Sequence, residues 1–221
     1  MLKMKDNIFE NPKILNWKQR IDNSGTRIND LTVIGSIVRN DTDYFGILLD
    51  CNILTPEGLN VPRCVLILGD SVVILPLLKC VDDGEYYTLM VEQRRIVDGE
   101  YALEFPSGCI DLQENNPKIT ACQELKEELQ LNVSPDELML LNDSPIKANP
   151  SFCGDIAYFY YFVRDVSQTF LEELDGRSTG NHEDKEFIIV RVVKMSDVVG
   201  ASTLSALIGI KLLERKLNQV F

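Results

Sequence analysis

The sequence predicts an α+β fold in which strands and helices are mixed, and three observations lead to this prediction. Runs rich in β-branched and aromatic residues recur along the chain and are separated by polar turn signals. Two segments, 117–129 and 203–216, instead repeat their apolar residues at helical spacing. At 221 residues, the chain has the length of one large domain or of a domain with a small appendage.

The first part of the chain, residues 1–66, is predicted to be an N-terminal helix and β-sheet region. A short helix around Ile14 to Ile21 carries the only tryptophan, Trp17. Three strand-like runs follow, and they are Thr32–Val38, Tyr44–Ile53 and Val61–Leu68. A chain of this length buries only ~60% of its surface on folding. We therefore expect the region to pack on the rest of the chain or on a second copy.

Residues 67–221 are predicted to form the main domain. Its predicted strands are Val72–Leu78, Tyr86–Val91, Ala102–Phe105, Ile156–Val163 and Phe187–Val193, the first two joined by a turn at 82–84. The polar stretch 175–186 has no periodicity, which is typical of solvated surface and also makes it a candidate lid. The last helix, Thr203 to Lys216, is predicted to turn four side chains toward the core, namely Leu204, Leu207, Ile208 and Leu212.

Composition excludes several classes of function. The formal net charge is −12, which argues against a nucleic-acid groove or an anionic membrane surface. The six cysteines form no CxxC pair, and the single histidine, His182, cannot complete a plausible zinc set. The N-terminus has no apolar signal region, and no run approaches the ~18 residues of a membrane span. We expect a soluble protein in a reducing, cytoplasmic compartment.

The central segment, 116–131, is predicted to contain an acidic helix. Asn116 can cap the helix, and Pro117 suits its first position because the missing N–H has no partner there. The apolar stripe consists of Ile119, Cys122, Leu125 and Leu129. The acids fall together on the opposite side, and they are Glu124, Glu127 and Glu128.

This acidic grouping is electrostatically unfavourable by itself. Like charges at these spacings repel by roughly 0.2–0.5 kcal/mol per pair, and the C-terminal end of a helix is already negative. A solvated charged face is one interpretation. A bound divalent cation is the other, because carboxylates and water are the ligands that Mg²⁺ prefers.

The residues around this helix resemble the signature of the Nudix hydrolase family. That signature is Gly, five residues, Glu, seven residues, then Arg-Glu-apolar-any-Glu-Glu-any-Gly-apolar. The chain has Gly108, five residues, Glu114, eight residues, and then 123–131 reading QELKEELQL. It departs from the pattern by one extra residue, by Gln123 in place of Arg and by Gln130 in place of Gly. We expect Gln123 to loosen metal binding, and Asn132 to take over the role of the helix-ending glycine.

Further segments resemble the ADP-sugar diphosphatase branch of the family, and the likeness covers roughly residues 27–215. These segments are EQRR at 92–95, LEFPSG at 103–108 and EF at 186–187. The resemblance implies an α/β/α sandwich with a mixed sheet, and an N-terminal antiparallel sheet used in homodimerisation. It implies Mg²⁺-dependent cleavage of ADP-ribose or ADP-glucose to AMP and a sugar phosphate, with Mn²⁺ as an alternative metal. A UDP-sugar diphosphatase and a non-catalytic nucleotide-sugar-binding protein are the competing interpretations.

The resemblance also implies roles for individual residues. The metal ligands would be the Ser107 carbonyl, Glu124, Glu127 and Glu128. Glu186 would be the general base, with Glu183 and Asp184 as alternatives, and Glu127 would assist catalysis. The substrate would be bound by Arg95, with Arg94 as its alternative, and by Glu104 and Gly108.

Overall fold

The structure is a computed structural model that describes residues 8–38, 43–110, 116–147, 149–180, 186–200 and 203–218. The helices in these ranges are α1 (Pro12–Asn23), α2 (Pro117–Leu129), α3 (Gln168–Leu174) and α4 (Leu204–Leu217). The strands are β1 (Arg27–Val38), β2 (Tyr44–Leu54), β3 (Asn60–Ile67), β4 (Ser71–Cys80), β5 (Tyr86–Arg94), β6 (Tyr101–Glu104), β7 (Ser107–Cys109), β8 (Met139–Leu140), β9 (Ile146–Lys147), β10 (Ile156–Val166), β11 (Ser178–Thr179) and β12 (Ile188–Lys194).

The chain divides into two compact units, of which the first comprises Met1–Asp70 with Ile146–Ala157. Strands β1, β2 and β3 form an antiparallel sheet in sequence order. Helix α1 begins with Asn11 accepting a hydrogen bond from the Lys13 backbone N–H at 3.0 Å. The helix buries Ile14 and Trp17 in a cluster with residues of β2 and β3.

An arginine of α1 joins distant parts of this first unit. Arg20 donates to the Asp70 carboxylate at 2.8 Å and to the Gly154 carbonyl at 2.7 Å. Asp155 accepts the backbone N–H groups of Leu68 and Gly69 at 2.9 and 3.0 Å. These bonds fasten the 146–157 segment to the end of β3, so that two pieces far apart in sequence fold as one body.

The second unit, Ser71–Pro145 with Tyr158–Phe221, is built around one sheet. Its strand order is β11-β12-β5-β4-β10-β8, with β6 paired to β5 and β7 paired to β4. Strand β4 is buried along almost its whole length, which is typical of a strand covered on both faces. One face packs on α2 in a cluster that includes Ile74, Leu125 and Leu129. On the other face, Gly209 of α4 lies against Leu75.

The fold class is confirmed as α+β, with a mixed sheet and an antiparallel N-terminal sheet. Every strand and helix predicted above is present, with bounds shifted by a few residues. The sequence did not predict α3, the three-residue strand β7 or the two-residue strands β8, β9 and β11. In the described ranges, no helix is both long and apolar enough to cross a bilayer.

The predicted core face of α4 is wrong for Leu204 and Leu207, whereas Ile208 and Leu212 are half-buried. Leu204 and Leu207 are 63% and 47% exposed, and the buried residues are Ala206, Gly209 and Leu213. A Cβ on Gly209 would lie 3.0 Å from Leu75 Cδ1. The small side chains therefore allow a close approach of α4 to the sheet. In this orientation, Leu204 and Leu207 lie away from the core.

Candidate active site around the acidic helix

Helix α2 begins as its sequence predicts, and its buried face includes Glu128 as well as members of the predicted apolar stripe. The Asn116 side chain accepts the Lys118 backbone N–H at 3.1 Å, and Pro117 occupies the first helical position. Leu125 and Leu129 are fully buried, whereas Ile119 and Cys122 are half-buried. The remaining buried residues are Thr120, Ala121 and Glu128. Glu128 therefore does not belong to a solvated acidic face.

Both the side chain and the backbone carbonyl of Glu128 accept hydrogen bonds. Only 5% of it is exposed, its Oε2 accepts the Ser107 backbone N–H at 2.9 Å, and its backbone oxygen accepts the Thr179 hydroxyl at 2.5 Å. Burial raises the pKa of the Glu128 carboxyl well above its ordinary value, and the charge of Glu124 raises it further. The charge of Glu186 also raises this pKa, so three carboxylates from two segments act on one another.

Gly108 provides the space for one of these carboxylates. A Cβ built on Gly108 would lie 1.8 Å from Glu124 Oε1 and 2.1 Å from Glu124 Cδ. Any side chain at this position would displace the Glu124 carboxylate. Strand β7 holds the glycine in place through its pairing with β4, where Val72 lies opposite Gly108.

Strand register places Arg95 and Glu104 on the same side of the sheet as α2. Side chains directly opposite in a sheet share a face, and Glu104 lies opposite Val91, which packs in the cluster with Leu125. Arg95 Nε donates to Glu104 Oε2 at 2.9 Å, and its Nη2 contacts the same oxygen. The positive charge of Arg95 acts on Glu128 and opposes the rise in its pKa.

The donors present fit a hard divalent cation. They are carboxylate oxygens and the backbone oxygen of Ser107, which are the ligands that Mg²⁺ takes. A buried carboxylate beside two others is costly to ionise without a compensating positive charge. Over the residues that the structure describes, no three acidic, cysteine or histidine side chains are already gathered as a metal would hold them. Glu114, the first acid of the family signature, lies outside those residues.

The chain is similar to known proteins in sequence and in structure. No family model matches the chain. A curated relative, Nudix hydrolase 14, chloroplastic, from Arabidopsis thaliana, is 27% identical over 192 residues, which are 80% of this chain and 62% of the relative. This chain therefore spans less than two thirds of that relative's length. A structure described as the crystal structure of ADP compounds hydrolase aligns with a TM-score of 0.58 over 87% of this chain and 94% of the other, at 13% identity, and so shows the shared fold.

The relative and the shared fold support the resemblance of the chain to the Nudix hydrolase family. The glycine and two acids of the Nudix-like signature meet at one point, since Gly108 contacts Glu124 and Ser107 contacts Glu128. Glu127 is exposed on α2. Glu183 and Asp184, the alternatives to Glu186, lie outside the described residues.

The two adjacent arginines lie on opposite faces of the sheet. Arg94 pairs in register with Tyr101, its guanidinium carbon lies 4.5 Å from the centre of the Tyr101 ring, and it donates to the Gly99 carbonyl. Since neighbouring strand residues alternate in direction, this places Arg94 away from α2. The sequence favours Arg95 over Arg94 only through the family resemblance, because adjacent arginines give no local signal that separates them.

The two substitutions relative to the family signature, at Gln123 and Gln130, have different structural consequences. Gln123 is exposed on α2. Gln130 itself adopts the left-handed conformation, with φ of 56° and ψ of 32°, at the end of the helix. The expectation that Asn132 would replace the helix-ending glycine is therefore wrong. The Gln130 N–H reaches the Lys126 carbonyl at 3.1 Å, as in an αL motif, and the Leu131 N–H reaches the Leu125 carbonyl at 3.0 Å.

One contact of the site was not foreseen from the sequence. Thr179 is 3% exposed and donates its hydroxyl hydrogen bond to the Glu128 carbonyl. It lies in the two-residue strand β11, within the polar stretch 175–186. So short a strand in a polar stretch produces no periodic pattern, so no sequence signal identifies it.

Proposed function

We propose that this protein hydrolyses the diphosphate bond of a nucleoside diphosphate sugar, with ADP-ribose or ADP-glucose as the preferred substrate and Mg²⁺ as the metal. The observation that carries the proposal is the buried Glu128, which lies beside Glu124 and Gly108 under the charge of Arg95. The relative and the structural neighbour, a Nudix hydrolase and an ADP compounds hydrolase, support the proposal.

The acids of α2 have the role of holding the metal in this proposal. Glu124 and Glu128 are the main ligands, the Ser107 carbonyl supplies a further oxygen, and the exposed Glu127 is a shared or outer ligand that assists catalysis. When bound, the cation neutralises phosphate charge and lowers the pKa of water. Gly108 keeps the space that the Glu124 carboxylate occupies.

Arg95 binds the diphosphate in this proposal. A guanidinium has five N–H donors in a planar fork that matches phosphate oxygens. Glu104 accepts bonds from Nε and Nη2 of Arg95, which fixes the plane of the fork and leaves its other donors for the substrate. Glu104 also lies 3.5 Å from the amide nitrogen of Gln93. Arg94 is the weaker candidate for substrate binding, because register places it on the other face of the sheet.

Glu186 orients and deprotonates the attacking water in this proposal. It lies outside α2, yet its charge reaches Glu128. A carboxylate whose lone pairs coordinate a metal is a poor proton acceptor, so a separate acid suits the role of general base. The water oxygen forms a bond to phosphorus and its proton passes to this carboxylate, while the bond between phosphorus and the bridging oxygen breaks and that oxygen leaves with the other phosphate.

A substrate panel tests the proposed function. Purified protein with Mg²⁺ is given ADP-ribose, ADP-glucose, UDP-glucose, ATP and capped RNA, the products are separated and quantified by chromatography, and binding of each compound is measured by calorimetry. We expect an ADP-sugar to give the highest kcat/KM, by about tenfold or more, which corresponds to about 1.4 kcal/mol. A higher kcat/KM for ATP or capped RNA would contradict the proposal. Fastest turnover of UDP-glucose would favour the UDP-sugar enzyme, and binding without turnover would favour the nucleotide-sugar-binding protein.

We also propose a homodimer formed through the N-terminal sheet, in a cytoplasmic setting. The sheet of the first unit exposes large apolar side chains in its strands, among them Ile34 at 56%, Ile37 at 63% and Phe45 at 56%. Exposed apolar residues grouped on one element favour an interaction surface. Light scattering should give about twice the chain mass of 25.0 kDa. A monomer mass at micromolar concentration would rule the dimer out.

A further inference from the structure

A buried threonine connects the end of α2 to β11, the strand that precedes Glu186 in the chain. The last carbonyl groups of a helix lack helical partners, and the Glu128 carbonyl belongs to the last turn of α2. The Thr179 hydroxyl donates to it at 2.5 Å. Thr179 lies opposite Ile188 in the pairing of β11 with β12, so the same residue belongs to the hairpin that contains Glu186.

Gly180, which follows Thr179, lies close to the backbone of Glu186. Gly180 has a φ of +98°, and a Cβ on it would lie 3.0 Å from the Glu186 backbone oxygen and 3.4 Å from Glu186 Cβ. Gly180 and Glu186 therefore lie next to each other, close to the Thr179–Ile188 pair. The position of Glu186 therefore depends on the position of Thr179, because Gly180, the next residue after Thr179, packs against Glu186.

We propose that Thr179 is a positioning residue whose hydroxyl fixes Glu186 relative to Glu128, by holding the base of this hairpin against the last turn of α2. The kinetic consequence rests on the proposed function, in which Glu186 is the general base. The mechanical consequence, a coupling between the hairpin and α2, does not depend on it.

The same unit contains a matched control. Thr88 is 1% exposed and donates its hydroxyl hydrogen bond to the Pro76 carbonyl at 2.6 Å. It therefore makes the same kind of buried bond as Thr179. Because strand residues alternate in direction, Thr88 lies on the face of β5 opposite Val91 and away from α2. Removing either hydroxyl with valine leaves a similar buried volume and one unpaired carbonyl, so both variants should lose similar stability.

Four purified variants test the proposal, and they are Thr179→Val, Thr179→Ser, Thr88→Val and Gly180→Ala. We expect both valine variants to melt about 2–4 °C lower than the wild type. Only Thr179→Val should lose kcat, by about 10-fold to 100-fold, with KM within about twofold, because a misplacement near 1 Å has effects of this size. Thr179→Ser should recover most of the turnover. Gly180→Ala should reproduce the loss of kcat, since its methyl group meets the Glu186 backbone, and this keeps the test valid if Thr179→Val does not fold.

Hydrogen exchange of the metal-free protein provides the second readout. Peptides that cover residues 178–188 should exchange faster in Thr179→Val than in the wild type, and should be unchanged in Thr88→Val. Equal kcat in the two valine variants, or no recovery with serine, would overturn the kinetic role, and equal exchange would overturn the coupling. A wild-type protein that hydrolyses nothing in the substrate panel would overturn the proposed function instead, while the exchange result still decides the coupling.

Discussion

Replacing Glu186 with glutamine is expected to lower kcat by about 10²–10⁴-fold, the usual range for the loss of general acid–base catalysis. Glutamine keeps the size of the side chain and cannot accept the proton of the attacking water. Glu186 is exposed, so the substitution should leave folding unchanged. KM and Mg²⁺ affinity should stay within about threefold, because Glu186 is proposed neither to hold the diphosphate nor to be a main metal ligand.

Steady-state kinetics on the preferred ADP-sugar, with a Mg²⁺ titration at each substrate level, measures this effect. Glu183→Gln and Asp184→Asn are the comparison variants, since both acids are near Glu186 in sequence. Near-normal turnover in Glu186→Gln together with a large loss in Glu183→Gln would transfer the role of general base three residues upstream.

Replacing Glu128 with glutamine should abolish most activity at millimolar Mg²⁺, by about 10²-fold or more, and should stabilise the metal-free protein. Glutamine can still accept the Ser107 N–H, so the fold keeps its hydrogen bond. The substitution removes a buried charge that lies beside Glu124 near the negative end of a helix. A gain of about 1 kcal/mol in the free energy of unfolding would raise the melting temperature by about 2–4 °C.

A charge-matched control separates this effect from a general change in net charge. Glu173 is an exposed acid of α3 in the same unit, and Glu173→Gln should change neither activity nor metal-free stability measurably. A sharp drop in the melting temperature of metal-free Glu128→Gln would show that the ionised carboxylate is a structural element. The interpretation of α2 as a metal-binding helix would then be wrong.

The sequence predicted the elements of the site better than their orientation. Asn116 and Pro117 mark the start of α2 by local chemistry, and the apolar run at 72–78 marks a buried strand, because both signals depend only on neighbouring residues. The burial of Glu128 could not be predicted from the periodicity of α2. It results from contacts with Ser107 and Thr179, which come from strands 21 and 51 residues away in sequence.

Two other features depended on tertiary packing. The choice between Arg94 and Arg95 requires the register of β5 against β6, and a shift of one residue would exchange the two faces. The orientation of α4 depends on how closely Gly209 approaches Leu75, and a pattern that counts only large apolar residues favours Leu204 and Leu207 instead. In each case the deciding interaction is with a part of the chain that is remote in sequence.

The central claim is that the carboxylates of α2 form a divalent-cation site, and a Mg²⁺ titration of the melting temperature tests it most directly. A cation that binds only the folded state stabilises it by RT ln(1 + [Mg²⁺]/Kd). We predict that wild-type protein and Glu173→Gln gain stability progressively through the millimolar range, while Glu128→Gln starts higher and gains little. An equal response to Mg²⁺ in wild-type protein and Glu128→Gln would contradict the claim.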